Sequence, residues 1–199
     1  MKIDCLLAGV GGQGTVLASR LIAQTAMGLG WEAHTSETIG MAQRGGSVTS
    51  QVRLGGGQAA PAIPIGQADV LLGFEPAEAM RCLAYLKPEG TVVVSINPIR
   101  PVTSSLGDAY ALEQILSYLK ANVKKCIMVD GDALCRAAGS GKVLNVIMLG
   151  VLASEEILPF SKEQLLRTML DHVPVKFREL NEKAFTIGYE YRKMEGEIV

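Results

Sequence analysis

Lys2 to Gly28, KIDCLLAGVGGQGTVLASRLIAQTAMG, decides the fold class. Lys2 to Gly9 is an apolar run that stops at a glycine, which predicts a buried strand. Gly9, Gly11, Gly12 and Gly14 then crowd into six residues. From Thr15 to Gly28 the apolar residues Val16, Leu17, Leu21, Ile22 and Ala26 recur at helical spacing, so a helix starts at the glycines and ends near Gly28 or Gly30. Trp31 to Glu37 follows as a second strand. A strand, glycine turn, helix and strand in that order open an α/β fold.

Outward from this unit the alternation continues. Ser47 to Leu54, SVTSQVRL, alternates strictly, with Val48, Ser50 and Val52 facing one way. That pattern suits a half-exposed antiparallel strand better than a central parallel one. Ala62-Ile63-Pro64 reads as a short returning edge strand, where proline is tolerated. Ala68 to Phe74 is a strand. Pro76 then opens a helix to about Leu86, stopped by Pro88-Glu89-Gly90. Thr91 to Ile96 is a β-branched, apolar strand of the kind covered on both faces. Asp108 can cap a helix running through Leu119, and Cys126 to Val129 is a further buried strand. Asp132 to Ala138 and Val143 to Glu156 read as helices. Ser161-Lys-Glu-Gln164 carries a capping-box pattern that starts another helix, and a last amphipathic helix spans Val175 to about Met194. The expected architecture is a three-layer α/β/α sandwich. Its sheet is mostly parallel and Rossmann-like, with an antiparallel strand or hairpin inserted and C-terminal helices over about 161–195. The strands at Leu6, Val70, Val93 and Ile127 are expected to be central, and residues 1–199 to form one domain.

Composition excludes several function classes. The chain has 199 residues, nearly half of them apolar, and a formal net charge of −1. Binding a nucleic acid or an anionic membrane surface needs a basic excess that is not there. Lys124-Lys125 is only a pair, which suits a solvated surface. No stretch approaches the roughly 20 apolar residues of a membrane helix, and the N-terminal apolar run is too short for a signal peptide, so a soluble cytoplasmic protein is expected. Cys5, Cys82, Cys126 and Cys135 form no C-x-x-C pair, so the sequence encodes no local zinc or iron–sulfur site. They read as small buried residues in a reducing compartment. His34 and His172 belong to no catalytic constellation.

Gly9, Gly11 and Gly14 match G-x-G-x-x-G between a strand and a helix, where free amides at the helix start favour an anion. Three readings stay open at this point. One is a dinucleotide site, with Glu37 as the ribose-binding acid. A second is close helix–strand packing and nothing more. The third is another anionic ligand, or a partner's backbone, held at the same turn.

A second segment narrows the choice. Glu37-Thr-Ile-Gly-Met-Ala-Gln-Arg-Gly-Gly-Ser-Val48 places Arg44 on a glycine-rich loop just before a strand. Arginine there can present several donors to a carboxylate or phosphate, and Gly45 and Gly46 let the chain turn sharply around it. Long glycine-rich connections inside compact domains are more often functional than not. GVGGQG followed by ETIGMAQRGGSVTSQVR resembles the gamma-type domain of 2-oxoacid:ferredoxin oxidoreductases. The matching residues are Gly9, Gly11, Gly12, Gln13 and Gly14, then Gly40, Arg44, Gly45, Gly46, Val52 and Arg53. A later Asn-x-x-x-Leu-Gly matches as Asn145, Leu149 and Gly150. The likeness spans about residues 1 to 190, and the Met41 to Gly46 loop is most similar to the indolepyruvate branch of that family.

The resemblance implies a share in a larger enzyme. In such enzymes a thiamine diphosphate carbanion attacks the keto carbon of a 2-oxoacid and CO2 leaves. Electrons pass to iron–sulfur clusters and ferredoxin, and coenzyme A takes the acyl group. Thiamine diphosphate and the clusters reside elsewhere. The chain fits that division: it lacks a Gly-Asp-Gly…Asn thiamine signature, Asp130-Gly131-Asp132 having the wrong order. The resemblance therefore implies no cofactor bound by this chain alone and no catalytic residue in it. It implies a larger partner carrying thiamine diphosphate and ferredoxin-type clusters, in a heterodimer or heterotetramer. Coenzyme A would be the co-substrate and ferredoxin the electron acceptor. Ligand- or partner-binding residues are expected at Gly9, Gly11, Gly12, Gln13, Gly14, Gln43, Arg44, Gly45, Gly46 and Asn145. The alternative is a stand-alone NAD(P)-binding dehydrogenase or reductase that uses the glycine turn and Glu37.

Overall fold

The computed structural model describes residues 1–40, 45–57, 60–99 and 110–196, with side chains to residue 191. Among the described residues six strands form one sheet: β1 (Ile3–Val10), β2 (Ala33–Ile39), β3 (Ser47–Leu54), β4 (Ala68–Gly73), β5 (Leu86–Ser95) and β6 (Lys125–Val129). Their spatial order is β2-β3-β1-β4-β5-β6. β1, β4, β5 and β6 run parallel, and β3 lies antiparallel between β1 and β2. The alternation of Ser47 to Leu54 predicts that antiparallel strand, and it is found.

The described helices on the sheet are α1 (Thr15–Gly28), α2 (Pro76–Cys82), α3 (Leu112–Asn122), α4 (Gly131–Ala138), α5 (Leu144–Ser154), α6 (Lys162–His172) and α7 (Arg178–Gly196). The pleat of β1 divides the apolar residues between two cores, as period-two alternation requires. Cys5 and Leu7 pack with α1, α4, α5, α6 and α7. Leu6 and Ala8 pack with α2 and α3 on the opposite face. The result is the expected α/β/α sandwich, with every residue of β1 buried.

α5 is apolar all round because it is buried inside this chain. Its Val146 to Leu152 are all in the core, and Gly150 and Gly188 let the backbones of α5 and α7 meet closely enough that a β-carbon at either would strike the other helix. The Ser161 capping box is present, with the Ser161 hydroxyl accepting from Gln164 N and the Gln164 side chain from Ser161 N.

Four expectations need correction. Ala62-Ile63-Pro64 is not a strand; instead the Ile63 side chain is buried among β1, β4 and α2. The helix opened by Pro76 ends at Cys82, passes through one 3₁₀ turn to Tyr85, and gives way to β5 at Leu86. Pro88 therefore lies inside a strand. β5 pairs with β4 at Leu86 and again only from Thr91, so the proline occupies an unpaired bulge, where its missing N–H does no harm. The strand around Ile127 is an edge strand. Its Met128 carbonyl accepts from the Tyr191 hydroxyl, so α7 partly covers that edge. Finally, α3 starts at Leu112, with Ala111 at its N-cap; the proposed cap Asp108 lies outside the described residues.

Candidate functional site at the glycine turn

Strand β1 delivers the glycine turn to the carboxyl end of the sheet, where open α/β sheets place their ligands. Gly14 sits at the N-cap of α1 with φ 78°, a left-handed conformation open to glycine at little cost. No side chain caps this helix start, and no acidic residue occupies its first turn. Its leading amides and the positive end of its dipole are therefore available to an anion or an acceptor.

Gln13 shapes the turn. Its Oε1 accepts from Val10 N and its Nε2 donates to Phe74 O, both at 2.8 Å. One side chain thus closes the turn on itself and ties it to the end of β4. Gly9 provides the room, since a β-carbon there would lie 2.7 Å from Gln13 Oε1 and 3.1 Å from Phe74 Cβ. Gly14 backs onto Asn145 of α5, a residue only 6% exposed. Gly12, at φ 98°, has open space beside it.

The second predicted segment does meet the first. Gly11 N donates to Gly46 O at 2.9 Å, so the loop before β3 is stitched to the glycine turn. Gly45 has φ 70°. Gln43 and Arg44, together with Met41, lie outside the described residues. Arg53, also part of the sequence likeness, is remote from this site. It is buried at the other end of β3 and paired with Asp4 on β1.

Two cavities flank the Gly11–Gly46 seam. One, of about 410 Å³, is bounded by Gly11, Gly12 and Gln13 on one side and by Asn97, Asp132 and Lys142 on the other. The second, of about 440 Å³, is bounded by Gly45, Ser47, Glu75, Glu78, Arg81 and Tyr110, with Val10, Met80 and Ile115 behind them. The first joins the glycine turn that leads into α1 to Lys142, with Asp132 on the same wall. Gly11 N and Gln13 N are already engaged within the chain, so its donors toward a phosphate are the Gly12 amide and the lysine. The second is apolar with buried carboxylates and suits no free anion. Asp130, at the N-cap of α4 beside the first cavity, accepts from Ala133 N and Asn97 Nδ2. The Ala133 amide, then Asn97, holds its carboxyl below the usual range.

Glu75, Glu78, Tyr110, Asn97 and Lys142 are missing from the sequence-based site. A signal for one of them, Glu75, was present. In Phe74-Glu75-Pro76-Ala77-Glu78 an acid precedes an N1 proline at the end of an apolar strand. Such an acid caps the helix, here by accepting from Glu78 N at 2.9 Å. Asn97 and Lys142 carried no comparable signal, because only the fold brings them to the turn.

The dinucleotide arrangement does not form. β3 separates β2 from β1, so Glu37 lies two strands, or about 10 Å, from the strand that carries the glycine turn. A ribose-binding acid belongs on the neighbouring strand. Glu37 instead faces Arg20 on α1, Oε1 to Nε, at 3.5 Å. The residues also do not fit a metal cluster. Among the described residues no group of three His, Cys, Asp or Glu side chains could hold a metal ion. All four thiols are free and scattered. Burial pushes Cys82 and Cys126 up to about 11 and raises Cys5 and Cys135 as well.

The family model described as pyruvate ferredoxin/flavodoxin oxidoreductase matches residues 4–191. The indolepyruvate oxidoreductase subunit IorB of Archaeoglobus fulgidus is 37% identical over 191 residues, covering 95% of this chain and 94% of that one. Among solved structures, the gamma subunit of keto/oxoacid ferredoxin oxidoreductase from Geobacter sulfurreducens superposes with a TM-score of 0.70 and 26% identity, over 96% of this chain and 95% of that one. The 2-oxoglutarate:ferredoxin oxidoreductase of Magnetococcus marinus shares the fold at a TM-score of 0.73 and 19% identity, with 97% of this chain aligned to 31% of that longer one.

Proposed function

This chain belongs to the pyruvate ferredoxin/flavodoxin oxidoreductase family, and from that premise we propose that it is the small subunit of an indolepyruvate-type 2-oxoacid:ferredoxin oxidoreductase. In this reading residues 1–199 act as one gamma-type domain. They work in the cytoplasm in a heterodimer or doubled heterotetramer with a larger subunit. Thiamine diphosphate and iron–sulfur clusters in that subunit supply the carbanion chemistry and the electron path to ferredoxin, with coenzyme A as acyl acceptor.

The observation that carries the reading is the likeness to a named oxidoreductase subunit along nearly the full length of both chains. It is supported by the contact between the two segments that carry the likeness, Gly11 N to Gly46 O. The part assigned to this chain is to present the glycine turn, Lys142 and the Gln43–Gly46 loop to the phosphate-bearing part of coenzyme A, beside the partner's thiamine site. Phosphate suits that cavity because Lys142 and the glycine turn that leads into the uncapped start of α1 border it. Arg44, two residues from the seam, would add a planar donor set to the same ligand or to the partner's backbone.

Reconstitution tests this. The chain is assayed for 2-oxoacid- and coenzyme-A-dependent dye reduction, alone and with its thiamine-binding partner. Activity is expected only from the pair; turnover by either component alone refutes the reading. With the pair in hand, Arg44→Ala should raise the KM for coenzyme A or weaken assembly. Unchanged kinetics and affinity would leave Arg44 a surface residue.

A further inference from the structure

Glu75 and Glu78 occupy the start of α2 and are 1% and 4% exposed. Buried carboxylates are costly unless every oxygen is engaged, and the partners here are informative. Glu75 Oε2 accepts from Glu78 N, closing the helix start, and its Oε1 accepts from the Tyr110 hydroxyl. That hydroxyl also accepts from Ala77 N at 3.0 Å. Glu78 Oε1 pairs with Arg81, and its Oε2 accepts from the Ser47 hydroxyl at 2.6 Å. Ser47 is the first residue of β3, and the residue before it, Gly46, supplies the carbonyl that holds Gly11 N.

A continuous path therefore runs from a buried carboxylate to the glycine turn: Glu78, Ser47, Gly46, Gly11. Nothing in stabilising α2 requires it, because Glu75 and Pro76 already provide the helix start. A charged acceptor holding a hydroxyl at 2.6 Å fixes position more firmly than a neutral pair would. Ser47 is exposed as a residue, so the bond is not needed to fill a core.

We infer that Glu78 is a positioning residue: through Ser47 it sets Gly46 against Gly11, and so fixes the backbone of the glycine turn. Glu75 and Tyr110 hold the same first turn of α2 through the amides of Glu78 and Ala77. Only the consequence for coenzyme A rests on the function proposed above; the positioning itself does not.

The test uses the reconstituted complex with Ser47→Ala, Ser47→Thr and Glu78→Gln. The primary readout is deuterium exchange at the amides of the glycine turn. Ser47→Ala and Glu78→Gln should speed exchange at Gly11 by about tenfold, since a hydrogen bond to a charged group is lost or weakened. Ser47→Thr, which keeps the hydroxyl, should restore the parent rate. In kinetics, Ser47→Ala should raise the KM for coenzyme A by about tenfold with kcat nearly unchanged, the signature of lost binding geometry and not of lost chemistry. Parent-like exchange at Gly11 in both Ser47→Ala and Glu78→Gln overturns the inference. Faster exchange with an unchanged coenzyme A KM in these variants and in Lys142→Ala upholds the positioning role and removes coenzyme A from the turn.

Discussion

Asn145 Nδ2 stands 2.6 Å from where a β-carbon on Gly14 would be. Gly14 is also left-handed at φ 78°, so two separate demands fix glycine at this position. Gly14→Ala is expected to lose roughly 2–4 kcal/mol, about 1–2 from the left-handed strain and the rest from the collision. The two costs separate in a double-mutant cycle. Asn145→Ala removes the two closest atoms of the collision, leaving its own β-carbon at 3.2 Å, and does not touch the strain, so the double variant should be less destabilised than the sum of the singles. Thermal or urea unfolding of the four proteins measures this. Strict additivity would mean that Gly14 and Asn145 do not press on one another.

Gln13 offers a second check on the turn. Its side chain makes two hydrogen bonds across the ends of β1 and β4, and Gln13→Leu would strand both Val10 N and Phe74 O. A loss of about 1–3 kcal/mol is expected, since the groups left unpaired are partly buried. If unfolding curves of Gln13→Leu overlay the parent, the turn is held by its glycines alone.

How much of this could be read from the chain? The opening unit was legible because Ile3 to Val10 is buried throughout and Thr15 to Gly28 has a clean helical period; neither competes with another pattern. Ser47 to Leu54 was legible for the opposite reason, since its alternation leaves only one face to bury. Pro88 misled because proline is usually a stop; the bulge between Leu86 and Thr91 that accommodates it is a property of pairing with β4. Cys126 to Val129 is apolar like a central strand, yet it closes the sheet, and its cover comes from Tyr191, more than sixty residues on. The site followed the same rule. The glycines announced themselves locally, and the resemblance to a known family drew attention to Asn145. Glu78 is informative only through Ser47, thirty-one residues away in sequence.

The acid limb of stability should carry the mark of Asp130. Its carboxylate accepts from Ala133 N and Asn97 Nδ2, which lowers its pKa below the ordinary 3.8. A carboxyl depressed in the folded state contributes stability that is fully present above the unfolded pKa and is lost as pH falls through the folded value. Asp130→Asn should therefore be less stable than the parent at neutral pH, and the gap should narrow steadily below about pH 4. Urea midpoints measured from pH 7 to pH 2.5 check this. A gap that is constant across the range would show that the cap acts by shape and not by charge.

The firmest stability prediction concerns Asp4 and Arg53, which face one another across β1 and β3. Both are almost completely buried, with Arg53 Nε 3.0 Å from Asp4 Oδ1 and a second guanidinium nitrogen 3.2 Å from Oδ2. The remaining guanidinium nitrogen donates to the carbonyls of Ala60 and Ala62. Arg53 thus binds the sheet and the chain after β3 together. Removing one partner leaves a buried charge, so Arg53→Met or Asp4→Leu alone should cost about 3–5 kcal/mol. Lys2 lies 3.1 Å from Asp4 but is itself largely exposed and screened, so it should not replace Arg53. Changing both residues, Asp4→Leu with Arg53→Met, removes the stranded charge and should recover most of the loss. It should not recover the contacts to Ala60 and Ala62. The double variant is therefore expected to approach the parent in urea unfolding while being cut faster than the parent by protease between residues 55 and 62. A double variant as unstable as the singles would mean that Arg53 acts chiefly through those two carbonyls and that its pairing with Asp4 contributes little.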